Sequence, residues 1–177
     1  EVAALVSLYA VGTTVALVLI LVLARYAAGL QLEGNLGGIR HLAVRTEVLL
    51  APPSVVVLLL AWALSGPAVA FLHLRGPIAI WLLGLAVVGI WQVAIPRGIL
   101  QGIQAFGGLA LNLSLEMVVR TGMLAVLLYA GLQAGGAMLA IVAGVAFAYL
   151  LGLFSLRDLA LVQPVPVRLR AMAGFSL

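Results

Sequence analysis

The chain has 177 residues, of which 66% are hydrophobic and only 8% are charged, and its mean hydropathy is +1.31. Soluble domains carry roughly 45–50% apolar and about 25% charged residues. The composition therefore excludes a soluble globular domain, a disordered chain and a coiled coil. It predicts an all-α, polytopic membrane helix bundle.

The charged residues are few and unusual in type. All nine cations are arginines, set against five acids. The arginines occur singly between long apolar runs, which is typical of topology signals rather than of a nucleic-acid surface. We therefore expect no nucleic-acid partner. A chain rich in Ala, Leu, Gly and Val that has Arg but no Lys also indicates a bacterial genome of high GC content.

Apolar runs long enough to cross a membrane occur five times. A bilayer core about 30 Å thick needs about 20 apolar helical residues. The predicted spans are residues 2–24, 48–71, 76–95, 105–128 and 134–156. Pro52-Pro53 falls in the first turns of the second span, where a missing N–H group costs little. Pro96-Arg97 is expected to close the third span.

Two segments lie outside these spans. Residues 25–47 connect the first two spans, and their nature stays open: apolar side chains at helical spacing favour an amphipathic surface helix, whereas the glycines between Gly34 and Gly38 favour a solvated connector. Residues 157–177 contain prolines and arginines and are predicted to be a cytoplasmic tail or linker. Because the chain begins at Glu1 without Met, we expect it to be a fragment or a processed product.

The arginines also predict the orientation. If residues 25–47 face the cytoplasm, alternation puts Arg97 and the tail on the same side, so that this side collects seven of the nine arginines. The other side receives Arg75, and Arg120 lies inside a span. This asymmetry fits the excess of basic residues in cytoplasmic loops. The N-terminus is therefore predicted outside and the C-terminus inside.

The fifth predicted span carries small residues at every fourth position. We call these residues the small-residue stripe: Gly136, Ala140, Gly144, Ala148 and Gly152. Such a stripe lets another helix backbone approach closely inside a membrane. It indicates either a sliding interface in a moving transporter or static helix packing.

Residues that support covalent chemistry are scarce. The chain has a single aspartate, Asp158, at a span end, and its only histidines, His41 and His73, are predicted on opposite membrane faces. These residues exclude an aspartyl dyad, a shared histidine metal site and a Ser–His couple inside the membrane. We therefore predict no enzymatic activity, no catalytic residues, no metal site and no cofactor.

Polar residues nevertheless occur inside the fourth span. They follow one helical face and are called the polar stripe: Gln104, Asn112, Glu116 and Arg120. A charge at the centre of a span costs about 2.5–3.5 kcal/mol on insertion scales. Spaced i, i+4, Glu116 and Arg120 can pair. The stripe then either lines a polar cavity or carries a self-neutralised structural pair.

Three motifs extend this pattern: Arg97-Gly98-Ile99-Leu100-Gln101-Gly102-Ile103-Gln104-Ala105-Phe106, then Asn112-x-x-x-Glu116-x-x-x-Arg120, then Gly131-x-x-x-Gly135-Gly136-Ala137. Together they resemble the polysaccharide-biosynthesis flippases, which belong to the multidrug/oligosaccharidyl-lipid/polysaccharide superfamily. The resemblance covers nearly the whole chain.

The resemblance implies a bundle of two pseudo-symmetric lobes, of which this chain would match spans two to six of the first. It implies transport of an undecaprenyl-diphosphate-linked oligosaccharide across the bacterial cytoplasmic membrane by alternating access. The expected partners are that lipid-linked oligosaccharide, membrane lipids, and a second lobe or subunit. The implied substrate cavity is lined by Arg97, Gln101, Gln104, Asn112, Glu116 and Arg120.

Two alternatives stay open at this point. The first is a multidrug or ion antiporter of the same superfamily. The second is a non-transporting membrane scaffold subunit of a glycan-assembly complex.

Overall fold

A computed structural model of the protein describes residues 2–74, 76–132, 134–160 and 162–163. These residues form helices and turns and contain no strand. The helices are α1 (Val2–Leu32), α2 (Leu36–Ala63), α3 (Ser65–Leu72), α4 (Ile78–Gly102), α5 (Phe106–Tyr129), α6 (Ala134–Ser155) and α7 (Arg157–Ala160). Within these ranges, α1, α2, α4, α5 and α6 are long and apolar enough to cross a membrane. The predicted all-α bundle with five helices of membrane-spanning length is thus confirmed.

Helix α4 lies at the centre of the bundle. It packs against α1, α2 and α6, whereas α5 packs mainly against the outer side of α6. Half of the most apolar stretch of α4 is buried, compared with 11% of that of α5. Helix α5 leaves most of its apolar side chains exposed. The few polar residues that it does bury therefore make specific contacts with the neighbouring helices.

The segment between the first two spans is a helical hairpin rather than a connector of 23 residues. Helix α1 continues to Leu32 and α2 begins at Leu36. Gly34 supplies the left-handed backbone of the turn, with a φ of 65°. Asn35 caps α2, because its side-chain oxygen accepts a hydrogen bond from the Gly38 N–H at 2.8 Å.

Burial explains why this hairpin is helical in spite of its glycines. The side chains that meet there form what we call the end cluster: Leu23, Ala27, Leu30, Ile39, Leu42, Ile95 and Ile99. It joins the end of α1, the start of α2 and the end of α4. Most helical stability in proteins comes from such packing rather than from propensity, so the end cluster outweighs the cost of the glycines. At 31 residues, α1 is about 46 Å long and exceeds the thickness of a bilayer core.

The prolines do not mark helix ends as the sequence suggested, where Pro52-Pro53 were expected in the first turns of the second span and Pro96 at the end of the third. Pro52 and Pro53 lie inside α2, because α2 begins sixteen residues before the first of them. Pro96 lies inside α4, which continues to Gly102. The prediction that Pro96-Arg97 closes the third span was therefore wrong. Neighbouring helices can accommodate a proline within a span, and Pro96 packs directly against the bare backbone of Gly152 on α6.

The second predicted span is divided near its end. Helix α2 stops at Ala63 and α3 begins at Ser65. Ser65 donates a hydrogen bond to the carbonyl of Trp62 at 2.7 Å and so satisfies one of the last carbonyls of α2. In the predicted tail, α7 is followed by Val162, whose carbonyl accepts a hydrogen bond from Arg40 on α2. The predictions that concern Glu1, Arg75, Arg168 and Arg170 fall outside the described residues.

Candidate functional site

A buried polar network joins α4, α5 and α6. The guanidinium of Arg97 on α4 forms an ion pair with the carboxylate of Glu116 on α5. The Nε of Arg97 also donates to the side-chain oxygen of Asn112 at 2.8 Å. Asn112 in turn donates to the backbone carbonyl of Ala148 on α6 at 2.6 Å. Arg97 and Glu116 are each 6% exposed and Asn112 is fully buried.

This network corrects the predicted pairing of Glu116. The carboxylate binds Arg97 on the neighbouring helix, and the only other ion pair among the described residues is the exposed Arg157–Asp158 contact. The i, i+4 spacing allows a Glu116–Arg120 pair but does not enforce it. Because α4 continues through Pro96, Arg97 lies inside the bundle, where its fork reaches Asn112 and Glu116 together. The sequence had suggested that Arg97 is a cytoplasmic topology charge. Its position inside the bundle contradicts that prediction.

Arg120 has a different environment. It is half-buried on α5, and its guanidinium carbon lies 5.8 Å from the centre of the Tyr9 ring on α1. That distance is within the range of a cation–π contact. Since Arg97 and Glu116 neutralise each other, Arg120 is the one charged residue of α4 and α5 that has no ion-pair partner among the described residues.

The two predicted glutamines are not part of the network. Gln104 is exposed and lies in the turn between α4 and α5, with a left-handed φ of 59°. It therefore does not continue the line of Asn112, Glu116 and Arg120 on α5. Gln101 is half-buried near the end of α4, and no side-chain hydrogen bond of Gln101 occurs within the described ranges. Of the six residues predicted to line a substrate cavity, the structure joins Arg97, Asn112 and Glu116.

The Arg-Gly-x-Leu-Gln-Gly motif has a packing role that the sequence did not reveal. A Cβ atom added to Gly98 would lie 2.7 Å from Cβ of Leu23, and one added to Gly102 would lie 2.5 Å from the carbonyl oxygen of Ala24. These two glycines, four residues apart, let α1 approach the backbone of α4. The motif thus contacts α1 through its glycines and α5 through Arg97. The glycine spacing is the signal that could have shown this.

The small-residue stripe faces part of the polar stripe. All five residues of the small-residue stripe are buried. A Cβ atom added to Gly144 would lie 2.9 Å from Cβ of Arg120 and 3.4 Å from the carbonyl oxygen of Glu116. One added to Gly152 would lie 2.7 Å from Pro96. The small residues of α6 therefore make room for α5 at Glu116 and Arg120 and for α4 at Pro96, whereas Gln104 of the polar stripe lies outside this interface.

An apolar cavity lies away from the buried polar network. Its volume is about 340 Å³ and its lining includes Leu74, Ile78 and Leu82, together with Leu132 and Leu139. It lies where the start of α4 meets the turn between α5 and α6. None of the six predicted cavity residues lines it. Lining of a substrate cavity by those residues accordingly stays a prediction.

Two aromatic residues take part in contacts that the sequence analysis missed. Tyr149 on α6 donates a hydrogen bond to the carboxylate of Glu47 on α2 at 2.8 Å, and Tyr9 faces Arg120. Tyrosines are common in apolar spans, so neither residue carried a spacing signal that linked it to a distant partner. Such contacts between helices distant in sequence appear only once the helices are packed.

Comparison of the chain with protein-family models, curated proteins and solved structures finds no match. The functional argument therefore depends on the contacts within the chain itself.

Proposed function

We propose that this chain is the membrane part of a flippase, and that it helps to move an undecaprenyl-diphosphate-linked oligosaccharide across the bacterial cytoplasmic membrane. The observation that carries the proposal is Arg120, a cation inside an apolar span that no carboxylate of the described residues neutralises. Intramembrane charges are costly and usually mark a substrate or ion pathway. A diphosphate headgroup is the kind of anion that an arginine fork binds well.

The physical requirements of glycan transport across a membrane fit the polar and apolar surfaces of this chain. A glycan cannot enter hydrocarbon, because its hydroxyl groups would lose their hydrogen bonds to water. The protein must supply polar partners for the headgroup while the prenyl tail stays in the lipid. In this account, the apolar outer faces of α2 and α5 contact lipid, and Arg120 supplies positive charge to the headgroup. No residue has to make or break a covalent bond.

One observation favours a second candidate, a scaffold subunit of a glycan-assembly complex. The Arg97–Asn112–Glu116 network is closed and almost fully buried, as expected for a rigid helix interface. A scaffold needs that network but has no use for an uncompensated Arg120. The role of Arg120 therefore separates the two candidates.

The test is complementation of a flippase-deficient bacterial strain by the complete open reading frame that encodes this chain, with surface glycan as the readout. We expect the wild type to restore surface glycan. Arg120→Gln should reduce it tenfold or more, by an order-of-magnitude estimate for loss of a charged contact. Arg120→Lys should restore it in part, because the charge is kept and the planar fork is lost.

The matched control for this test is Arg157→Gln. Arg157 also faces an aromatic ring, that of Phe154 at 4.7 Å, but its side chain is 66% exposed. The control removes one arginine from the chain and should leave export unchanged. Normal export by a well-expressed Arg120→Gln variant would refute the flippase proposal and favour the scaffold.

The orientation is part of the same proposal and has its own test. The native chain has no cysteine, so single cysteines can be labelled from either side of the membrane. Glu33 and Ala130 are exposed near opposite ends of the bundle. We expect Ala130→Cys to react with an impermeant reagent in intact cells and Glu33→Cys to react only after permeabilisation. The reverse pattern would overturn the proposed orientation.

A further inference from the structure

Tyr9 and Arg120 face each other from two helices that each pack mainly against a different neighbour. Helix α1 packs mainly against α4, and α5 packs mainly against α6. Tyr9 is 5% exposed and belongs to the main apolar core, while Arg120 reaches it from the outer helix. The two side chains thus meet across the gap between α1 and α5.

Both side chains have hydrogen-bonding capacity that the described residues do not use. Within those residues, neither the guanidinium of Arg120 nor the hydroxyl of Tyr9 makes a hydrogen bond, in contrast to Arg97 and Tyr149. The only fully enclosed polar side-chain atom without a partner in the described part of the chain is Oγ of Ser54. The unused donors of Tyr9 and Arg120 are therefore not completely enclosed by packed atoms.

The position of the two residues restricts what can occupy that space. Tyr9 lies about 11 Å from the start of α1 and Arg120 about 14 Å from the end of α5, at 1.5 Å per residue. These two helix ends are the same end of the bundle, so the residues lie at a similar depth. That depth is within a hydrocarbon core about 30 Å thick. A free anion and the phosphate of a lipid must both give up hydration to reach it, but the tail of the lipid already holds its phosphate in the membrane beside the protein.

The donors restrict the chemistry as well. A guanidinium offers five N–H donors in a planar fork, and a phenol adds one O–H donor from the opposite helix. A phosphate group has several acceptor oxygens and a negative charge, so it can use both sets of donors at once. We propose that Tyr9 and Arg120 form a two-sided site for the phosphate of an anionic lipid, in which Arg120 binds the phosphate oxygens and the Tyr9 hydroxyl donates to them.

This inference rests on the proposed function, which requires a phosphate-linked lipid to pass through the protein, and it names Tyr9 as the second donor. Tyr9 then acts by its hydroxyl, while its ring packs in the apolar core. Removal of the hydroxyl alone should weaken binding of the lipid phosphate without disturbing the fold.

The experiment measures binding of dodecyl phosphate to the purified protein in an uncharged detergent. Trp91 is a suitable probe, because its indole N–H donates to the carbonyl of Gly12 at 3.0 Å, one turn from Tyr9 on α1. In a Trp62→Phe/Trp81→Phe background, the emission of Trp91 reports on this part of α1. Dodecanol and inorganic phosphate, each tested alone, separate the contribution of the tail from that of the anion.

We expect dodecyl phosphate to bind and to change the emission of Trp91, whereas dodecanol and inorganic phosphate bind at least tenfold more weakly. Arg120→Gln should weaken binding of dodecyl phosphate by about tenfold or more, and Tyr9→Phe by about three- to tenfold. Arg157→Gln is the charge-matched control and should bind as the wild type does. Arg120→Lys, which keeps the charge, should bind more tightly than Arg120→Gln.

Wild-type binding by both Tyr9→Phe and Arg120→Gln would overturn the site. Equal binding of inorganic phosphate and dodecyl phosphate would overturn the lipid as the source of the anion. The outcome is distinct from that of the complementation test. Failed complementation with intact dodecyl phosphate binding refutes the proposed function alone, and unchanged binding by variants that fail to export refutes this site alone.

Discussion

The arginines of α4 and α5, Arg97 and Arg120, differ in how their charges are satisfied. Arg97 is 6% exposed and satisfied by the carboxylate of Glu116 and the amide oxygen of Asn112. Arg120, on the same helix as Glu116, is half-buried, and its guanidinium has no carboxylate partner within the described residues but lies over the ring face of Tyr9. The first charge has been neutralised by the fold, and the second has not.

The difference shows that sequence spacing alone does not assign the partner of an intramembrane charge. Glu116 has one arginine a turn away on its own helix and another on a neighbouring helix, and it binds the second. A buried charge is stable only when it is paired and its remaining hydrogen bonds are satisfied, and Arg97 brings Asn112 into the same contact. The pairing satisfies Arg97 and leaves Arg120 without a carboxylate partner among the described residues.

The largest expected effect comes from breaking the buried pair. Glu116→Leu should lower the free energy of unfolding by about 3–5 kcal/mol, because it leaves the charge of Arg97 buried without a partner. Unfolding in mixed detergent micelles measures this change. The double variant Arg97→Leu/Glu116→Leu should recover most of the loss, since it removes both charges together. A double variant as unstable as the single one would show that the loss does not come from the unpaired charge of Arg97.

A smaller effect is expected at Asn112. Asn112→Leu keeps the approximate volume but removes the acceptor for Nε of Arg97 and the donor to the carbonyl of Ala148. Leaving such buried groups without partners costs about 1–3 kcal/mol. The same unfolding measurement should therefore place Asn112→Leu between the wild type and Glu116→Leu. A loss greater than that of Glu116→Leu would mean that Asn112, rather than the ion pair, holds the three helices together.

Gly144 lies against both Arg120 and the backbone of Glu116. A substitution there tests whether the surroundings of Arg120 and the Arg97–Glu116 pair are coupled. Gly144→Ala places a methyl group against Cβ of Arg120 and near the backbone of Glu116, so it should push α5 away from α6. We expect a net loss of about 1 kcal/mol, since overpacking exceeds the helix propensity gained. Gly122→Ala is the matched control on α5, because nothing lies within 4 Å of its added Cβ. Equal stability of the two variants would show that the interface is loose.

The number of long helices and the bounds of α5 and α6 followed from the sequence to within one residue, because uninterrupted apolar runs are a strong local signal. The ends of α1 and α4 did not follow. Their extensions depend on the end cluster and on Gly152 beside Pro96, which are contacts between distant segments.

The site was predictable only in part, because some of its features are local in sequence and others are contacts between distant segments. Asn112, Glu116 and Arg120 were visible as polar residues on one apolar helix, and the small residues of α6 were visible as a repeat. That Gly144 of α6 lies against Glu116 and Arg120, that Glu116 binds Arg97, and that Tyr9 faces Arg120 all depend on how the helices pack.

The central claim is that the Arg97–Glu116 pair supports the fold while Arg120 serves transport. It is tested most directly by comparing Arg97→Leu/Glu116→Leu with Arg120→Gln in one complementation assay, at matched expression. The account predicts that the double variant restores surface glycan, although it lacks two charges, and that Arg120→Gln does not, although its stability changes by less than about 1 kcal/mol. Export by Arg120→Gln together with loss of export in the well-expressed double variant would contradict it.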